Sequence, residues 1–333
     1  MNGERKISIG NGRKLLATPV FDTYWRFACA RQSIFHARVA GQSPPWSRDE
    51  VLSRHRFTNA YRASDRVSQY LIRNVQYTGS QDHEELFFRT VLFKIFNKVE
   101  TWEHLVNKLG PLKWKTFDRK AYALELDRLK ARQSIYSGAY IMPSPAFGSR
   151  RKHRNHLQLL EKMMLGGAPE RTFNARGLSG MYDELLQWPS LGEFLAFQFA
   201  IDLNYTSATK FSEMEFVVAG PGAKNGLRKC FRDTGGLNDA DTIRAVADLA
   251  EAEFERLGLA FNDLWGRPLQ LIDCQNLFCE VDKYSRVVHP EYTAEGGRSR
   301  IKQRYNPTHR PTPQWYPPKW QLQPAVARHS DAA

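Results

Sequence analysis

Between Arg54 and Leu71 the sequence RHRFTNAYRASDRVSQYL sets Arg56, Asn59, Tyr61, Arg62, Asp65 and Arg66 close together. Arginine and asparagine can make paired hydrogen bonds to base edges, and a tyrosine ring can stack on an unpaired base. A charged helix surface is the ordinary meaning of such a run, yet Phe57, Asn59 and Tyr61 are unusual on one. A second run, FCEVDKY from Phe278 to Tyr284, offers Glu280, Asp282 and Lys283 and reads more simply as an internal salt-bridge network. The turn Gly220-Pro221-Gly222-Ala223-Lys224-Asn225-Gly226 lacks the Gly-Lys-Ser/Thr ending and the preceding strand of an ATP-binding P-loop. It opens a helix with Lys224, Arg228 and Lys229, so it reads either as a cradle for a DNA or diphosphate oxygen or as a plain turn.

A third candidate is WPSLGEFLAFQFAIDLNY, Trp188 to Tyr205. A helix ending near Pro189, a tight turn through Ser190 and Gly192 and an apolar helix make the outline of a helix-hairpin-helix. In that motif the turn amides bind a DNA phosphate. The usual hairpin is Pro-Gly-apolar-Gly, and Ser190 stands in place of its first glycine; an ordinary core hairpin reads equally well. Glu213 and Glu215 lie 21 and 23 residues beyond Gly192. Helix-hairpin-helix DNA glycosylases carry a catalytic carboxylate at about this distance, where it can stabilise a cationic sugar or activate a nucleophile beside a flipped base. The lysine that lyase-type glycosylases place just after the hairpin is replaced by Glu193 and Phe194, which argues against Schiff-base chemistry there.

The elements that position these groups read as helices. In DHEELFFRTVLFKIFNKVE, Leu86, Val91, Leu92, Ile95, Phe96 and Val99 fall on one broad face, with Asp82 and Glu85 as an N-terminal cap pair. The next helix stops at Gly110-Pro111. Further helices are expected over Asp118–Gln133, Arg151–Leu165, Ser179–Gln187, Gly192–Leu203, Asp241–Leu257 and Leu269–Arg286, without a βαβ rhythm or internal repeat. The basic run Arg150-Arg151-Lys152-His153-Arg154 opens one of them and suits either phosphate contact or a solvated face.

Hydrophobic residues at 42% and aromatics at 12% support a core, and a formal charge of +13 favours polyanionic partners, nucleic acid first. No apolar run approaches the length of a membrane span, and the N-terminus has no secretory apolar region. Cys29, Cys230, Cys274 and Cys279 are too sparse for a disulfide framework, and Cys274 and Cys279 are wrongly spaced for a zinc knuckle. A reducing cytoplasm without metal fits best. After Glu291 the chain turns basic and Pro-rich, with Tyr305, Trp315, Tyr316 and Trp320. This extended tail reads either as a strap packed through its aromatics or as a DNA-contacting arm.

RFTNAYRASD, LFFRTVLFKIFNKVETW, LGEFLAFQFAIDLNY, FVVAGPGAKNGLRKCF and LQLIDCQNLFCEVDKY together resemble the helical domain of phage-type DNA base hypermodification proteins. These are the alpha-glutamyl/putrescinyl thymine pyrophosphorylases, the amino acid:DNA transferases and the helical domain of 5-hydroxymethyluracil DNA kinases. The resemblance, over about Phe21–Arg286, implies DNA carrying 5-hydroxymethyluracil, its phosphorylation to a diphosphate ester, and displacement of that group by an amine. It also implies kinship with DNA glycosylases. The expectation is an all-α protein of two helical lobes with a glycosylase-like helix-hairpin-helix. Its parts would be an extension (1–20), a helical domain (21–292) and a basic tail (293–333). Glu215, then Asp202, would serve as general base or electrostatic stabiliser. Arg56, Arg62 and Lys229 would hold phosphates, and Asn59 and Tyr61 would read or stack the base. Ser190, Gly192, Gly220, Gly222, Lys224 and Lys283 would complete the DNA contacts. Partners would be DNA, an amine or amino-acid donor and a hydroxymethyluracil DNA kinase, with no cofactor and no membrane. Excision of a modified base and a non-catalytic delivery role are the alternatives.

Overall fold

The computed structural model describes residues 3–293, 299–306 and 314–322. They form two compact units, one from the described residues of 1–65, 216–314 and 321–333, the other from 66–215 and 315–320.

In the first unit β1 (Arg5–Ser8) and β2 (Lys14–Ala17) pair antiparallel, and β2 pairs with β3 (Phe231–Asp233). The all-α expectation is corrected to a mostly helical fold with one small three-stranded sheet. The strands are three or four residues long, too short for alternation to announce them, and the segment expected as an extension supplies two of the three. The unit's helices are α1 (Pro19–Val39), α2 (Glu50–Arg54), α11 (Pro221–Cys230), α12 (Asp239–Asp248), α13 (Ala250–Arg256) and α14 (Leu271–Val288). The expected helix Asp241–Leu257 is thus two, broken at Leu249. Thr18 starts α1: its hydroxyl accepts from the Val20 amide at 3.2 Å and donates to the Lys229 carbonyl. Tyr24 and Trp25 on α1 are fully buried. Tyr24 lies 4.5 Å from the Phe278 ring and Trp25 5.0 Å from that of Phe254, and burial of such side chains stabilises by roughly 2–3 kcal/mol each. Glycines let α11 lie against α14. A Cβ at Gly226 would stand 2.1 Å from the Phe278 carbonyl oxygen, and one at Gly222 2.3 Å from Cys279 Sγ. α14 opens with a reciprocal cap between Gln270 and Asp273 that fixes its first turn.

The second unit holds α3 (Arg66–Tyr70), α4 (His83–Phe96), α5 (Val99–Leu109), α6 (Arg119–Lys130), α7 (Lys152–Leu165), α8 (Ala168–Phe173), α9 (Leu178–Leu186) and α10 (Glu193–Asn204). α4 is buried from Glu85 to Phe96 and α10 from Leu195 to Asn204. Asp82 sits at the N-cap of α4 without a side-chain cap bond, and Glu85 instead accepts the Trp114 amide at 3.0 Å. Within the tail, residues 315–320 pack on this unit in the manner of a strap. The Trp315 ring meets Tyr77 at 4.8 Å, and Lys319 donates to the carbonyls of Thr206 (2.9 Å), Thr209 (2.7 Å) and Asn204, beyond the end of α10. The Pro-rich stretch 307–313 and the end of the tail lie outside the described residues.

Candidate functional site

In the first unit α14 presents Asn276, Glu280 and Lys283 four and three residues apart, hence along one face. All three grip the segment Arg56–Asp65, which has little regular structure of its own. Asn276 donates to Thr58 Oγ1 at 2.9 Å. Glu280 Oε2 accepts the Thr58 amide at 3.0 Å and the Lys283 ammonium at 2.7 Å. Lys283 also donates to the Arg56 carbonyl at 2.9 Å and lies 4.4 Å from the centre of the Phe57 ring. From α1, the buried Arg31 donates through Nε to the Thr58 carbonyl at 2.9 Å and through Nη2 to Asn59 Oδ1 at 3.0 Å.

Asp65 completes the group. Its Oδ1 accepts the Asn59 amide at 2.9 Å, while the Asn59 side-chain amide donates to the Ser64 carbonyl at 2.8 Å. Burial pushes the Asp65 carboxyl up to about 7, with the charge of Glu280 adding to the rise; the Asn59 amide, Arg31 and Arg62 oppose it. Thr58, Asn59 and Asp65 remain only half-buried. A carboxyl poised near neutral pH and still reachable can take a proton from one group and return it to another.

The expected site residues divide sharply by environment. Asn59 and Lys283 belong to this network, and Arg56 is exposed beside it. Tyr61 and Arg62 are buried: the Tyr61 hydroxyl donates to the Arg267 carbonyl at 2.7 Å, and the Arg62 amide donates to Asp273 at 2.8 Å. Tyr61 therefore packs in the core, where its ring cannot meet a base. Lys229 is buried too, paired with Asp282 at 3.0 Å and donating to Ser285 Oγ at 3.1 Å. With Arg286 on Asp282 and Lys283 on Glu280, the salt-bridge reading of the FCEVDKY run holds. Gly220 is the buried N-cap of α11, Gly222 gives way to Cys279, and Lys224 is half-buried.

The remaining expected residues lie in the second unit. α9 and α10 form a hairpin whose turn carries Ser190 at φ 71°, the left-handed conformation in which glycine is usual. Gly192 is the exposed N-cap of α10. Asp202 is fully buried and pairs with the buried Lys94 at 2.8 Å. Glu215 is exposed, and its Oε1 accepts the Leu178 amide at 3.1 Å, so it caps the N-terminus of α9.

Arg31 and Asn276 carry no mark of their own in the sequence, while Asp65 and Glu280 stand in the two charged runs without an assigned role. The spacing of Asn276, Glu280 and Lys283 was a usable signal; nothing in the α1 sequence marks Arg31.

Fold and site define a basic, mostly helical protein with a carboxylate–arginine–amide cluster clamped by its last long helix. Residues 18–294 match the family described as 5-hmdU DNA kinase, helical domain, and the chain belongs to that family. A curated relative, the 5-hmdU DNA kinase of Bacillus phage SP10, is 27% identical over 289 residues. The match covers 80% of this chain and 45% of the relative, so the chain spans about half the length of the protein it matches. No solved structure matches it. Among the described residues no helix is long and apolar enough to cross a membrane.

Proposed function

We propose that the chain takes part in hypermodification of DNA containing 5-hydroxymethyluracil, and that the cluster around Asp65 handles the substituent on a flipped base. The observation that carries this reading is a half-buried carboxyl held near neutrality, bordered by Glu280, Arg31 and the amide of Asn59. In the reaction, an amine nitrogen bonds to the exocyclic methylene carbon of a diphosphate-activated base. The carbon–oxygen bond breaks, diphosphate leaves with its electron pair, and the amine proton passes to Asp65. With Arg31 and Arg62 buried, the exposed Arg56 and the half-buried Lys283 are the cations that would hold the leaving oxygens. The hairpin at Ser190 and Gly192 would contribute backbone amides to a DNA phosphate.

A second reading is favoured by the family itself, described as the helical domain of a kinase. Here the chain binds the same base for a hydroxymethyluracil DNA kinase, and Asp65 accepts the hydroxyl proton as the phosphoryl group arrives. One experiment separates them. DNA bearing the diphosphate ester is incubated with the protein and a panel of amines, and its nucleosides are analysed by mass spectrometry. An amine adduct with release of diphosphate supports transfer, and an abasic site indicates excision instead. Tight binding of hydroxymethyluracil DNA with no product supports the kinase-associated role. Neither product nor preference over thymine DNA refutes both.

A further inference from the structure

In the second unit, α6 and the start of α7 carry a concentration of cations that the Asp65 site does not use. Arg128, Lys130, Arg132, Arg150, Arg151 and Arg154 are all exposed. The carboxylates among them are already engaged. Glu125 is buried and holds Arg128. Asp127 holds three partners: Arg151, Arg154 at 2.6 Å and His153 at 2.8 Å. The arginine side chains keep 56% and 47% of their surface open while one end is fixed. Guanidinium groups held this way keep N–H donors facing solvent in a fixed fork, the geometry that suits phosphate oxygens.

We infer that this surface docks the phosphate backbone of duplex DNA, with Asp127 as the residue that positions Arg151 and Arg154. The inference rests on DNA being the substrate and adds a second, sequence-independent contact in a different unit from the Asp65 site. Such a contact sets affinity and register, while base contacts specify. Asp127 suits the positioning part because its partners hold its carboxyl down to about 2, so it stays ionised wherever DNA is handled.

The test uses full-length protein and a duplex with ordinary thymine, so that base chemistry plays no part. Anisotropy titrations across a salt series compare the wild type with R150Q/R151Q/R154Q. The control K6Q/R13Q/K14Q removes the same charge from exposed positions in the first unit. Circular dichroism melts confirm that each variant is folded. The α7 variant should lose about tenfold or more in affinity, and its log–log salt slope should flatten by about 2.7, from roughly 0.9 per phosphate contact. The control should change little. Asp127→Asn gives the sharper sign. It adds net positive charge, so a diffuse charge effect would tighten binding, whereas loss of the two fixed arginines should weaken it by about threefold or more. Equal losses in both triple variants, or tighter binding by Asp127→Asn, would overturn the inference. So would equal, α7-dependent binding to phosphatidylglycerol vesicles. Normal docking by a protein that leaves the modified base untouched would count against the Asp65 reading alone.

Discussion

Replacing Asp65 with asparagine should make the protein more stable at alkaline pH while removing the proposed proton acceptor. In the fold this carboxyl titrates at about 7, against about 3.9 in an unfolded chain. Between those values the native state holds a proton that the unfolded state has released, so raising the pH favours unfolding. The stability tied to the neutral carboxyl is fully present below about pH 4 and is lost as the pH rises through 7. Three pH units at 1.36 kcal/mol each set a ceiling of about 4 kcal/mol, and the partial exposure of Asp65 brings the expectation to about 2–3 kcal/mol. Asparagine keeps an oxygen for the Asn59 amide and cannot ionise. Urea unfolding of wild type and Asp65→Asn should therefore agree within about 1 kcal/mol at pH 4.5 and diverge by about 2–3 kcal/mol in favour of the variant at pH 8. Parallel stability curves across that range would refute the placement of an uncharged carboxyl in this cluster.

Glu280→Gln removes the negative charge beside Asp65, so any pH–rate transition belonging to Asp65 should move below 7; a titration followed by activity or by carboxyl NMR checks this. Lys94→Met strands the buried Asp202 carboxylate and should cost about 3–5 kcal/mol, read from the urea midpoint and slope. Gly226→Ala forces a methyl group against the Phe278 backbone carbonyl and should cost at least about 3 kcal/mol. Gly222→Ala meets only a cysteine side chain and should cost less, an ordering that paired thermal melts test directly.

Much of the helical framework is legible because periodicity and stop signals agree. Gly110, for instance, ends α5 at φ 77°, and α7 and α10 begin and end within a residue or two of the places their patterns indicate. At Ser190 the sequence shows only a departure from the usual glycine, and the left-handed backbone there comes from the structure. The Asp65 cluster is only half visible. Asn59 and Lys283 announce themselves as odd or charged residues in short runs. The bond that unites those runs joins Thr58 to Glu280, 222 positions apart, and no local pattern encodes such a pairing. Tyr61 misleads for the converse reason: it lies in a run rich in arginine and asparagine, but its ring turns inward beside Phe261 and its hydroxyl finds the Arg267 carbonyl. Glu215 sits at a suggestive distance from the hairpin, yet that distance also brings it to the open amides of α9, where a carboxylate stabilises the helix end.

One comparison tests most directly whether Asp65 or Glu215 is the proposed acid–base group. Wild type, Asp65→Asn and Glu215→Gln are followed in single turnover on DNA carrying the diphosphate ester of 5-hydroxymethyluracil, with nucleoside mass spectrometry as the readout. Loss of a positioned acid–base group lowers the rate by about 100-fold or more. Loss of a helix-capping charge costs only about 1 kcal/mol of stability. Asp65→Asn should therefore fall at least about 100-fold, while Glu215→Gln stays within about twofold of wild type. A full-rate Asp65→Asn beside an inactive, folded Glu215→Gln would contradict the account and return the chemistry to the residue that follows the hairpin.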